Sequence, residues 1–131
     1  MAFRMYMVVV PEGAKKWTNA KGNTECVEFV RQATGAPATT VWKPGVRVKD
    51  AARGSISAYT AIATFDDAGH YPTDDKGRHA AVYLSHDGSG IRVLDQWNAQ
   101  GEVRERTIFF GRAAGTRRSN DGDVFWVVER G

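Results

Sequence analysis

The stretch "NTECVEFVRQATG", residues 23–35, predicts a helix with defined ends. Asn23 or Thr24 is a suitable N-cap, and Gly35 stands where a helix commonly terminates. The helix is therefore expected from about residue 24 to residue 34. Its apolar side chains recur at i, i+3, i+4 and i+7, which gives one stripe facing a core. The members of that stripe are Cys26, Phe29, Val30 and Ala33.

After this helix, β-branched and aromatic runs alternate with Gly, Asp and Asn, a pattern typical of antiparallel strands. The stretch "HDGSG" at 86–90 predicts a hairpin loop, and "VWKPGVRV" at 41–48 predicts a turn around Pro44 and Gly45 with short extended flanks. One helix followed by an antiparallel sheet of about five strands is an α+β fold. The predicted strands are 60–65, 79–85, 91–97, 106–111 and 124–129.

The composition is that of an ordinary globular protein. The chain has 131 residues, 42% of them hydrophobic and 25% charged, so one domain spanning 1–131 is expected. The net charge of +3 favours anionic partners without choosing among them. One cysteine excludes an intrachain disulfide. The longest apolar run, "MYMVVV" at 5–10, is too short to span a bilayer and lacks signal-peptide features, so no membrane insertion is expected.

The cysteine stands where a nucleophile would be activated. Cys26 lies in the first turn of the predicted helix, where unpaired N–H groups and the helix dipole favour a thiolate. Its base would be His70, His79 or His86. His79 begins an apolar strand that would hold the ring in place, whereas His70 lies in the loop at 66–78 and His86 at the hairpin tip. A lone cysteine on an apolar stripe is more often a core residue, so catalysis depends on finding all the partners together.

Sheet register predicts the group that orients the imidazole. If Ser85 pairs with Ile91, or equally with Ser89, facing residues of the two strands share parity. His79 and Asp95 then lie on the same face, directly opposite or diagonal. The neighbouring glutamine points away. Asp95 is therefore expected to orient the ring, provided that no bulge intervenes.

Three stretches, "ECVEFVRQATGAP", "HAAVYLS" and "IRVLDQW", resemble the CHAP domain, a papain-like cysteine, histidine-dependent amidohydrolase/peptidase related to the NlpC-type peptidases. That family places a Cys at the start of the first helix, a His on a "GH-[IV]-A-[IV]" strand and an acid on an "[LV]-E-Q-N-W"-like strand. The resemblance covers about residues 20–129. It implies that Cys26 is the nucleophile, His79 the general base and Asp95 the orienting acid.

The sequence departs from the family pattern in places. Arg78 replaces the usual Gly before the histidine, and Asp95 is one methylene shorter than the frequent Glu. No Asn stands between Gln96 and Trp97, so Gln96 or Asn98 is expected to take the fourth family position.

The resemblance implies hydrolysis of peptide-type amide bonds in peptidoglycan, by an amidase or endopeptidase that forms an acyl-enzyme on Cys26. The oxyanion would be held by the Cys26 backbone N–H and a second donor, for which Asn19 and Asn23 are candidates. No cofactor or metal is implied. At least two of the aromatic candidates for substrate contact are expected to pack in the core or at its rim instead. The expected substrate-contacting residues are Trp17, Trp42, Tyr71, Gln96 and Trp97.

The likeness extends to small single-domain bacterial amidases delivered by type VI secretion. It implies peptidoglycan or murein peptides as substrate and an immunity protein as partner. It also implies synthesis in the bacterial cytoplasm and delivery to the periplasm or outside by a route without a signal peptide. No nucleic-acid partner is expected, because the arginines within 111–123 accompany no nucleic-acid motif.

Two alternatives stay open. The chain could be a non-catalytic papain-like binding module for an anionic glycan or a protein partner, with Cys26 inert. The chain could also be an acyltransferase, because the same acyl-enzyme can react with an amine instead of water. A metal site is the weakest option, since the available ligands match no calcium or zinc spacing. Those ligands are His70, Asp66, Asp67, Asp74 and Asp75.

Overall fold

The computed structural model describes residues 2–3 and 16–130, and the apolar run at 5–10 lies outside the described residues. Within these ranges one α-helix, α1, packs on a six-stranded sheet whose paired strands are all antiparallel, with strand order β1-β6-β2-β3-β4-β5. This confirms the α+β prediction and adds one strand to it. The elements are α1 Cys26–Thr34, β1 Trp42–Arg47, β2 Thr60–Thr64, β3 Ala80–His86, β4 Gly90–Asp95, β5 Arg104–Phe109 and β6 Phe125–Arg130.

The N-cap of helix α1 lies two residues later than the earliest predicted cap. Its N-cap is Glu25, with extended backbone and no side-chain capping bond, so the expected caps Asn23 and Thr24 were wrong. The Thr24 hydroxyl instead donates to the Trp97 carbonyl at 3.3 Å. The predicted end is confirmed, because Gly35 adopts φ 77° and its N–H bonds the helix. Starting at Cys26, the helix leaves the cysteine N–H without an intrahelical acceptor.

Strand β1 corrects the predicted turn around Pro44 and Gly45. Pro44 pairs with Val128, and the register shifts between Pro44 and Arg47. Because β1 lies at the sheet edge, a proline without an N–H is tolerated there. A Cβ at Gly45 would overlap the Glu129 carboxylate, so a larger residue at this position would require that flexible side chain to move. Pro44 and Gly45 therefore belong to an edge strand with a bulge and not to a turn between two segments.

The sheet buries both faces around β2, whose five residues are all buried. One face receives α1, and small alanines on β2 and β3 let the helix approach closely. The other face holds a second cluster with Tyr83, Ile91 and Phe125. The stripe prediction for α1 is confirmed for its inner residues, since Phe29, Val30 and Ala33 are buried in the first cluster.

The β3–β4 hairpin contains a bulge that decides which residues share a face. At the tip His86 pairs with Ile91, so the expected partners of Ser85 were wrong. The Asp87 carboxylate closes the turn by accepting from the N–H groups of residues 89 and 90. A register shift between Tyr83 and Ser85 then changes the parity, and Tyr83 pairs with Val93. Beyond the bulge, facing residues have equal parity, as the prediction required.

Candidate functional site

The candidate site lies where β3 begins, β4 ends and α1 starts. Cys26 is the first residue of α1 and is half-buried. The His79 ring and the backbone N–H of Ala80 lie near its sulfur, and both favour the thiolate. The Tyr71 hydroxyl lies 3.8 Å from the same sulfur. The helix start therefore brings the thiol to the histidine that the sequence favoured.

His79 is fixed on both sides. Its Nε2 lies 2.7 Å from Oδ2 of Asp95, and both side chains are buried. The backbone of His79 also forms a reciprocal pair with Thr64, in which the His79 N–H donates to Oγ1 at 3.0 Å and the Thr64 N–H donates to the His79 carbonyl at 2.9 Å. Because Nε2 is engaged, Nδ1 is the nitrogen left to face Cys26.

The protonation states follow from these contacts. Burial of Cys26 raises its pKa, but the hydrogen bond and charge interaction with His79 outweigh burial, and the pKa of the thiol is lowered. Burial likewise lowers the pKa of His79, yet hydrogen bonds to Asp95 and Cys26 raise it to about 9. The arrangement favours a thiolate–imidazolium pair at neutral pH.

Arg106 is a site residue that sequence reasoning missed. Its Nε donates to Oδ2 of Asp95 at 2.7 Å, the same oxygen that bonds His79. Its Nη2 donates to the Ser119 carbonyl at 2.8 Å, and its guanidinium lies 5.2 Å from the centroid of the Trp97 ring. The buried carboxylate thus has two cationic neighbours. No signal could have found this contact, because the loop before β5 leaves its register undetermined.

Gln96 is a structural clamp and does not reach a cleft. It is fully buried, and its Oε1 accepts from the Trp17 N–H at 3.1 Å. Its Nε2 donates to the carbonyls of Trp17 and Glu25, at 2.7 and 2.9 Å. Gln96 therefore joins the end of β4 to the segment that leads into α1. These bonds occupy both the oxygen and the nitrogen of the side-chain amide. The expectation that Gln96 contacts the substrate is therefore wrong, and its role is to position the start of α1.

The remaining expected substrate contacts divide into two groups. Trp42 is buried and donates from Nε1 to the Pro37 carbonyl, and Trp17 packs against Phe29 with ring centroids 5.8 Å apart. Neither lines the cavity beside Cys26. Tyr71 and Trp97 do line it. The prediction that at least two aromatic residues pack in the core agrees with this placement.

The cavity itself has a volume of about 710 Å³ and is open to solvent along one side. The Cys26 and His79 side chains lie in its wall, together with Asn98. Asn19 and Asn23, the two candidates for an oxyanion donor, do not line it. Asn19 instead accepts from the N–H groups of residues 21 and 23 and donates to Glu25. A substrate of several residues fits a space of this size.

The other histidines have local structural partners. His86 is buried, bonded to the Tyr83 hydroxyl at 2.6 Å and the Ala51 carbonyl at 2.8 Å. The His70 N–H donates to the Asp66 carboxylate. In residues 2–3 and 16–130 no three His, Cys, Asp or Glu side chains gather in a group able to hold a metal ion. In the same part of the chain, no helix has the length and hydropathy needed to cross a membrane.

Comparison with known proteins places this chain in a family. Residues 8–128 match the family model described as domesticated amidase effector 2. A Salmonella typhi protein named type VI secretion amidase effector 2 protein is 34% identical over 115 residues, covering 80% of this chain and 84% of that protein. An Ixodes scapularis protein named domesticated amidase effector 2 is 35% identical over 117 residues, covering 87% and 77%.

A solved structure agrees with these relatives. That of type 6 secretion amidase effector 2 superposes with a TM-score of 0.74 at 32% identity, covering 95% of each chain. The predicted papain-like architecture of the CHAP and NlpC type is thereby confirmed. Sequence, fold and coverage agree from the opening helix to the last strand, and the chain belongs to the domesticated amidase effector 2 family.

Proposed function

We propose that this protein is a cysteine amidohydrolase that cleaves a peptide-type amide bond in peptidoglycan through an acyl-enzyme on Cys26. The relatives are named amidase effectors, which supports amide hydrolysis as the reaction class. The observation that carries the proposal is the meeting of Cys26 with His79 in an open cavity, while Asp95 bonds the far side of the ring at 2.7 Å.

Acylation begins with the thiolate. The Cys26 sulfur attacks the amide carbonyl carbon, and the carbonyl π electrons move to the oxygen to give a tetrahedral oxyanion. His79 holds the proton on the nitrogen that faces Cys26 and donates it to the leaving nitrogen as the C–N bond breaks. The amine departs neutral and the thioester remains on the enzyme. Asp95 keeps the ring oriented and stabilises its charged form before the proton is transferred.

Two donors are placed to stabilise the oxyanion. The Cys26 N–H at the first position of α1 has no intrahelical acceptor. The Tyr71 hydroxyl, 3.8 Å from the sulfur, is the second donor in this proposal. Burial and the nearby thiolate raise the pKa of Tyr71 far above its ordinary value, so the hydroxyl keeps its proton. In this proposal Tyr71 is the second oxyanion donor, in place of the expected Asn19 or Asn23.

Deacylation reverses the roles. His79, now neutral, takes a proton from water as the water oxygen attacks the thioester carbon. Collapse of the second oxyanion expels the Cys26 thiolate and releases a carboxylic acid. The enzyme returns to its thiolate–imidazolium state with one water consumed.

We also propose where the protein acts. The Salmonella typhi relative is named a type VI secretion effector, which supports action in the periplasm or outside the producing cell. An immunity protein that covers the cavity is the expected partner in such a system. Binding of a purified candidate immunity protein should then protect Cys26 from alkylation in proportion to complex formed.

The test compares the wild-type protein with Cys26→Ala and Cys26→Ser on purified sacculi, with muropeptide release followed by mass spectrometry. We expect release by the wild type alone, and the masses identify the bond cleaved. Because the chain contains one cysteine, stoichiometric iodoacetamide labelling should abolish release in parallel. Undiminished release by folded Cys26→Ala contradicts the proposal. Binding to sacculi without release by the wild type favours the binding-module alternative.

A further inference from the structure

We propose that Arg78 and Arg117 form a carboxylate-binding subsite at the rim of the cavity, which selects amide substrates that carry a free carboxylate near the bond to be cleaved. Both residues line the cavity that holds Cys26. This inference rests on the proposed function, because the selected group belongs to the substrate of that site.

The rim is built from two loops held firmly together. The Arg118 N–H donates to the Lys76 carbonyl at 3.1 Å, and its guanidinium bonds the Asp74 carboxylate at 2.6 Å. Gly77 adopts φ 94°, and a Cβ there would lie 2.8 Å from the Arg118 nitrogen. The two loops therefore meet backbone against backbone, and side chains carried on them project from a rigid base.

The two arginines are anchored on the same short stretch of backbone. Arg78 donates from Nη1 to the carbonyls of Thr73 and Asp74, at 3.1 and 2.9 Å. Arg117 donates from Nη2 to the next carbonyl, that of Asp75, at 3.1 Å. The two guanidinium groups are therefore tied to the carbonyls of three consecutive residues. Such anchoring lowers the entropy that each side chain loses when it binds an anion.

Both guanidinium groups keep donors for a ligand. Among the described residues, Nε and Nη2 of Arg78 have no hydrogen-bond partner, and neither do Nε and Nη1 of Arg117. An adjacent Nε–Nη pair presents two parallel N–H groups, the geometry that a carboxylate accepts in bidentate fashion. In Arg78 the unbonded Nε and Nη2 form such a pair, whereas Nε and Nη1 of Arg117 point in different directions and act as separate single donors.

The charge balance of the wall favours the same ligand. Arg106 also lines the cavity, but Asp95 offsets its charge at 2.7 Å. The thiolate and imidazolium cancel each other. This leaves Arg78 and Arg117 against Glu25, the one acidic residue among the described residues of the wall. The wall therefore carries a small positive excess that favours anions, and its two available cations both come from the joined rim loops.

The experiment measures binding in the Cys26→Ala background, where no hydrolysis intervenes. The probes are one purified muropeptide with free carboxylates and the same muropeptide with those groups converted to carboxamides. Isothermal titration should show that Arg78→Gln and Arg117→Gln each weaken the carboxylate form by about tenfold and leave the carboxamide form unchanged. Arg53→Gln, an exposed arginine outside the cavity wall, is the control for net charge and should alter neither affinity.

Equal losses for both probes, or losses no larger than with Arg53→Gln, overturn the subsite. The active protein supplies the complementary result. With Cys26 present, Arg78→Gln and Arg117→Gln should raise KM for the carboxylate form and leave kcat within a factor of about two. If the wild type does not hydrolyse either probe but still prefers the carboxylate form, the subsite stands and the proposed reaction fails. Hydrolysis without that preference refutes the subsite alone.

Discussion

Asp95 and His79 meet across two adjacent strands through a 2.7 Å hydrogen bond, and the carboxylate oxygen that makes it also accepts from Arg106. One buried oxygen thus connects the imidazole to a guanidinium that reaches the cavity wall. The remaining carboxylate oxygen, Oδ1, has no hydrogen-bond partner in the described part of the chain. Among the described residues, the Asp95 carboxylate therefore holds the ring through Oδ2 alone.

Replacing Asp95 with Asn should shift the alkaline limit of activity to lower pH. The Asp95 carboxylate helps raise the pKa of His79 to about 9, and proton donation to the leaving amine is lost as the pH rises through that value. An amide carries no charge, so the pKa of His79 falls toward its ordinary 6.5 and the alkaline limb moves with it. pH–rate profiles and NMR titration of the ring check this. An unchanged alkaline limb would show that His79 does not control it.

His79→Ala should slow alkylation of Cys26 at neutral pH. Burial raises the pKa of the thiol and the interactions with His79 lower it, so in the variant burial is opposed only by the smaller effects of the Ala80 N–H and the Tyr71 hydroxyl, and the pKa rises. Iodoacetamide labelling as a function of pH should give a midpoint below the ordinary thiol value for the wild type and above it for the variant. His86→Ala is the matched control, because that ring bonds Tyr83 and Ala51 instead. Equal midpoints in all three proteins would contradict the ion pair.

Tyr71→Phe should reduce kcat by about 10²-fold with little change in KM, as expected when one oxyanion donor is removed. The ring packs edge-on against Trp42 with centroids 5.3 Å apart, and Phe preserves that contact. Tyr59→Phe, a half-buried tyrosine outside the cavity wall, serves as control and should leave kcat unchanged. If the main effect of Tyr71→Phe is on KM, the hydroxyl binds the ground state and the oxyanion assignment is wrong.

Gln96→Ala should lower the free energy of unfolding by about 3 kcal/mol, because a buried clamp of three hydrogen bonds is removed and its backbone partners stay buried. Chemical denaturation measures the loss. Asn98→Ala, at an exposed position two residues away, should change stability by less than about 0.5 kcal/mol. A loss at Gln96 no larger than this control would mean that the clamp contributes little.

Much of the fold could be predicted because its signals are local. Helix α1 was recognised from an apolar stripe and Gly35, and strands β2 to β6 from their β-branched runs, with ends displaced by one or two residues. Strand β1 is not predictable from the sequence, because Pro44 and Gly45 are turn-forming residues. Only pairing with the neighbouring strand β6 makes this segment an edge strand. The burial of Trp42 is likewise not predictable from the sequence, because an aromatic residue has the same sequence signature in a core and in a groove.

The sequence by itself determined which residue types are available and where periodic patterns place them: a thiol at a helix start, a histidine at a strand start and an acid late in the next strand. Only the tertiary structure decided that these meet. The β3–β4 bulge restored the parity that the hairpin tip had broken, and Arg106 and Tyr71 reached the site from separate segments. The physical reason is that side-chain periodicity is a property of neighbours along the chain, whereas register, burial and charge pairing are properties of neighbours in space.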